Sequence, residues 1–170
     1  MKFGGLDLAA SPRNPSGVAI LHNFTFFVET LYSDDEIISW FMENGVLIVA
    51  IDAPLTLRED RYADRYLKKY GAMSLKIPSI KKLATRGLKI REKLKKEGIE
   101  VIEVFPTATA KILGFYKKPK KEMLIHFRDF YLPSVKNEHQ VDAIIAAYTA
   151  YLHHKNLTRA VDGVIIPREK

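Results

Sequence analysis

The chain contains no cysteine. Disulfides, thiolate zinc sites and cysteine nucleophiles are therefore excluded at the outset. Glutamine occurs once, as Gln140. No apolar run reaches the ~20 residues that span a bilayer. The opening residues do not read as a secretory leader, because Asp7 interrupts the apolar stretch. From these absences a cytoplasmic location is the expectation. Scarce glutamine beside abundant Lys, Glu and Ile is the residue usage expected of a thermophile.

What is present is 170 residues, enough for one domain with one core. Hydrophobic residues make up 47% and charged residues 28%, an ordinary globular balance. The net charge is +7 and the pI about 9.5. Such a balance suits a polyanionic partner, with nucleic acid the first candidate, against the alternative of a merely solubilising surface. Positive charge gathers between Lys68 and Lys96 and again from Lys117 to Lys121.

The first ten residues organise the rest. Phe3, Leu6 and Leu8 read as a buried strand, which places the carboxylate of Asp7 inside or at the end of it. A buried charge needs a compensating partner. Gly17 to His22 and Phe24 to Leu31 read as a second and third strand, joined by short turns into an antiparallel meander. Ser33 and Glu36 form a capping box that opens a helix stopping near Gly45. Val46 to Ile51 is apolar on both faces, hence a central parallel strand, and it runs out at Asp52. A short helix is expected from Arg61 to Gly71 and a longer one from Ser79 to about Glu97 with a lysine-rich outer face. Ile99 to Pro106 is the fifth strand, with Glu103 near its end. Pro106 to Gly114 and residues 120 to 132 read as further helices. The last main helix runs from Asn137 to Lys155 and carries Glu138 and Asp142 on one face. Val164 to Pro167 reads as an added edge strand.

Acids thus recur where buried strands end, and in open α/β sheets ligands bind beyond those ends. The order of elements matches the ribonuclease H-like core. That is an α/β fold with a mixed five-stranded sheet, order 3-2-1-4-5, strand 2 antiparallel and helices on both faces. Asp7, Asp52 and Asp142 fall on the elements whose acids meet in such a core. Carboxylates prefer hard cations such as Mg²⁺ or Mn²⁺. Two such ions ~4 Å apart can promote phosphodiester hydrolysis.

At these residues the sequence also resembles a family of unknown function, domain-of-unknown-function family 429. The matching stretches are Gly5 to Ser11, Val49 to Leu55, Arg61 with Asp64, Arg65 and Leu67, Arg86-Gly87, Glu100 to Pro106 with Ala110-Lys111, and Val141 to Ala150. The resemblance implies a ribonuclease H-like fold and nuclease activity. Members of that family often carry a further acid just before the last aspartate. Here Gln140 stands near that place and Glu138 lies one turn away.

The leading expectation is a metal-dependent nuclease acting on DNA or RNA. Asp7, Asp52 and Asp142 are the expected metal ligands, with Glu138 or Glu103 completing the shell or orienting water. Arg61, Arg65, Arg86 and Lys111 are expected to contact phosphates, with Lys117, Lys118 and the rest of the run to Lys121 as an outer contact. The competing readings are an actin-like nucleotide-binding phosphotransferase and a non-catalytic nucleic-acid-binding module. The sequence fixes no oligomeric state, and a homodimer is compatible with it.

Overall fold

The computed structural model describes residues 1–169. Seven strands form one sheet: β1 (Lys2–Asp7), β2 (Ser16–His22), β3 (Thr25–Leu31), β4 (Ile48–Asp52), β5 (Glu100–Val104), β6 (Thr158–Val161) and β7 (Val164–Pro167). Five helices accompany them: α1 (Asp34–Asn44), α2 (Tyr62–Leu67), α3 (Pro78–Lys96), α4 (Pro106–Ile112) and α5 (Glu138–His154). The strand order is β3-β2-β1-β4-β5-β7-β6. The expected five strands occur in the expected order, with β2 antiparallel to β1 and with β1, β4 and β5 parallel.

The five-strand expectation is corrected by two further strands. Val164 to Pro167 is not the edge: β7 lies inside, parallel to β5, and β6 is the edge beside it. The β6–β7 hairpin turns at Asp162-Gly163, both at positive φ (47° and 90°). Such a turn favours this dipeptide, because glycine bears a left-handed backbone freely and Asp tolerates it. That signal was present in the sequence. The 120 to 132 expectation is also revised. Lys120–Phe127 is a 3-10 stretch, held down by buried Met123 and Phe127. Phe127 packs edge-on against Phe26, Phe115, Phe130 and Tyr148, and this aromatic packing overrides local periodicity.

The sheet has two covered faces. Phe3, Ala19, Ile48, Ala50 and Ile102 point to the α5 side, where Val141, Ile144 and Ile145 meet them. Leu6, Val18, Ile20, Val49 and Ile51 point the other way, to Ile37 and Phe41 of α1 and Ile90 and Leu94 of α3. Two glycines set how close α5 comes. A Cβ at Gly5 would collide with the backbone of Ala143 and Ala147, and one at Gly17 with His139 O and C. The first turns of α5 therefore rest directly on β1 and β2. Asn137 caps α5 through its side chain, which accepts from the Gln140 N–H at 2.9 Å. Gln140 and Asn137 both donate to Thr30 Oγ1 at 3.1 Å, which pins the start of α5 to β3.

Candidate metal centre

Register decides which acids meet. Asp7 and Asp52 are direct partners across the parallel β1–β4 pair. Parallel partners in register share a face, so both carboxylates lean to the α5 side. Asp142, one turn into α5, comes down on them from above Gly5. Asp7, Asp52 and Asp142 each offer one oxygen, and these atoms lie within 4.8 Å of one another. Asp142 is buried and the other two partly so.

Three carboxylates this close repel. Burial first, then Asp7 and Asp142, push the pKa of Asp52 well above the ordinary carboxylate value. Burial and Asp7 raise Asp142 to about 6, against the opposing pull of Lys120. Lys120 and, when protonated, His139 offset the charge in part. Lys120 Nζ donates to Asp142 Oδ2 at 2.5 Å. Burial works against that ammonium, but the bond to Asp142 together with the charges of Asp142, Asp7 and Glu138 outweighs it and the pKa of Lys120 rises. His139 Nδ1 lies 2.9 Å from Asp7 Oδ2, and this contact raises the imidazole pKa.

The donor set fits a hard divalent cation: three carboxylates converge, at least one of them buried, and their charge exceeds what the chain itself neutralises. His139 is not among the expected site residues, and Lys120 is expected only within the outer basic run from Lys117 to Lys121. His139 did carry a signal, since it precedes Asp142 by three residues on one helix face. Lys120 carried none beyond its basic run, and only the 3-10 stretch brings it to Asp142.

The other expected residues lie elsewhere. Glu138 is exposed in the first turn of α5 and is not among the acids whose oxygens converge. Glu103 pairs with Ile51, not Asp52, so it projects from the opposite face of the sheet. There it receives both guanidinium nitrogens of Arg61, at 3.0 and 2.6 Å, and the Leu55 N–H at 2.5 Å. Burial raises the Glu103 pKa in spite of Arg61. Arg61 also bonds Asp64 at 2.9 Å and is itself buried. Arg86 is likewise buried, bonded to Asp34, the Ala9 carbonyl and the Tyr32 carbonyl at 2.8, 2.8 and 2.6 Å. The guanidiniums of Arg61 and Arg86 are thus bonded to the protein itself. Arg86 ties the loop after Asp7 to the start of α1. Arg65, Lys111, Lys117 and Lys118 are exposed. Arg65 caps the Asp60 carbonyl, and Lys111 donates to Tyr70 O at 3.3 Å and lies over the Tyr116 ring.

No protein-family model matches the chain, and no curated protein matches its sequence. Solved structures do resemble it. RuvC from Thermus thermophilus bound to a Holliday junction substrate superposes with a TM-score of 0.58 at 12% identity. The match covers 92% of this chain and 96% of that one. A second T. thermophilus RuvC structure gives 0.55 at 13% identity, covering 92% and 97%. The likeness is one of fold: a mixed α/β sheet with helices, ribonuclease H-like and similar to that of RuvC. Within that fold the sheet and its helices are arranged as in RuvC, over nearly the full length of both chains.

Proposed function

We propose that this chain is a divalent-metal-dependent nuclease that hydrolyses phosphodiester bonds in DNA or RNA. The convergence of Asp7, Asp52 and Asp142 at neighbouring strand ends carries the reading. Mg²⁺ or Mn²⁺ would be held by those three carboxylates. When bound, such ions supply Lewis-acid polarisation of the phosphate and an acidified water.

The chain's own residues do the rest. Asp7 and Asp52 are held rigid by the β1–β4 pairing, so a bound phosphate is positioned against a fixed frame. His139, bonded through Nδ1 to Asp7, is the titratable group at the exposed rim and can receive the proton that the attacking water loses. Lys120 holds positive charge at Asp142 and can turn it towards a phosphate oxygen. The exposed Arg65, Lys111, Lys117 and Lys118 supply attraction for a polyanion, as does the net charge of +7. The T. thermophilus RuvC bound to a Holliday junction makes branched DNA a natural first substrate to try.

The test is a panel of labelled single strands, duplexes and junctions with Mg²⁺, Mn²⁺ or EDTA. Cleavage that needs metal and disappears in Asp7→Asn is the expected result. Binding indifferent to EDTA, with no cutting under either metal, would instead make the chain a non-catalytic binding module.

A further inference from the structure

A cleft of about 240 Å³ runs from the carboxylate cluster towards α2 and α3, and Asp7 and Asp52 belong to its lining. Most of the remaining wall is apolar, with Leu67, Met73, Ile80, Leu83 and Phe105 among its residues. We propose that this cleft is a nucleobase pocket, taking the unstacked base of a nucleotide next to the phosphate that a divalent cation on Asp7 and Asp52 would bind. The inference rests on the nuclease reading above and names the kind of substrate that site prefers.

Size is the first argument. Clefts for drug-sized ligands begin at about 300 Å³, so this one suits a single heterocycle and not two stacked nucleotides. Chemistry is the second. Apolar walls match the flat faces of a base, while the sugar and phosphate attached to it stay at the polar, carboxylate part of the lining. Met73 is 59% exposed although it lines the cleft, and a thioether is an adaptable wall for rings of different outline. Asp64, Arg61 and Glu103, already bonded to one another, add a polar corner to the lining.

A consequence for substrate class follows. Bases of a continuous duplex are stacked inside it, and extruding one costs a few kcal/mol, least where it is already unpaired. The pocket therefore favours strands with an unpaired nucleotide beside the cut over continuous duplex.

The experiment moves one 2-aminopurine along a single-stranded oligonucleotide and titrates each with the full chain in Ca²⁺. The expected result is a fluorescence change confined to one or two positions. Ile80→Trp, which fills the cleft from a half-buried helix position, should remove that change and weaken binding about 10-fold. An abasic nucleotide at the same position should lower kcat/KM under Mg²⁺ about 10-fold, and this arm needs no protein variant. A uniform response at every position, with a flat abasic scan, overturns the pocket. Cleavage with a flat scan leaves the nuclease reading standing without the pocket. A position-specific signal with no cleavage under any metal sinks the nuclease reading and keeps the pocket.

Discussion

Two groups of acids sit at the same end of one sheet and are built on opposite logic. Glu103 and Asp64 share a buried arginine, Arg61, with bonds of 2.6 to 3.0 Å. Among the described residues, Asp7, Asp52 and Asp142 bond no arginine, and the basic groups they meet are Lys120 and His139. The first group is closed by a cation that the chain supplies. The second holds more negative charge than its neighbours cancel, and the raised pKa values of Asp52 and Asp142 record the cost. Burial raises Glu103 as well, but there Arg61 opposes the rise, whereas at Asp52 and Asp142 a neighbouring carboxylate adds to it, so the difference separates a neutralised pair from a mutually repelling cluster.

Breaking the closed group should produce the largest effect on folding. Glu103→Ala leaves the buried Arg61 guanidinium with Asp64 as its one remaining carboxylate partner among the described residues, so a loss of about 3 kcal/mol is expected from urea unfolding. Loss below 1 kcal/mol would mean that Glu103 is not closed by Arg61 in solution. The same operation on the open group should run the other way. Asp52→Asn removes one repelling charge and should stabilise the metal-free chain by about 1 kcal/mol or more, while cleavage is lost. A lower melting temperature in that variant would contradict the repulsion.

Acidity should sharpen the contrast without any substitution. Asp142 has a folded pKa of about 6 against an ordinary value of 3.8. A raised carboxylate pKa destabilises the folded chain above that pKa and ceases to do so as pH falls towards the unfolded value. His139 acts in the same direction, since its raised pKa lends stability at low pH that is lost as pH rises through it. The metal-free melting temperature should therefore climb between pH 8 and about 5. Added Mn²⁺ should raise it most at the alkaline end and least near pH 5, where protons compete for the carboxylates. The smallest effect is expected from Lys120→Met. Removing the ammonium at Asp142 should tighten Mn²⁺ binding several-fold by calorimetry, less than the roughly 10–100-fold by which changes beside metal ligands commonly move affinity. Unchanged affinity would show that Lys120 does not compete with the ion.

Much of the fold was legible because each element carries its own punctuation. Ser33 and Glu36 form the expected capping box, and Gly45 ends α1 in the left-handed conformation. Asn137 opens α5 as expected, and the apolar run before Asp52 is a central parallel strand. The β6–β7 hairpin went unread although Asp162-Gly163 announced it, because a four-residue strand has too little alternation to notice.

The residues that the structure draws together divide in the same way. Sequence alone determined that Asp7 and Asp52 end buried strands, because an apolar run interrupted by an acid has few other places to go. It also determined that Asp142 begins a helix of small apolar residues able to lie close on a sheet. Only the tertiary structure decided that Glu103 is excluded. Its pairing with Ile51 turns it to the far face, and a shift of one residue in register would have turned it back. Register, like the arrival of Lys120 at Asp142, is set by contacts between segments far apart in the chain, and no local pattern encodes those.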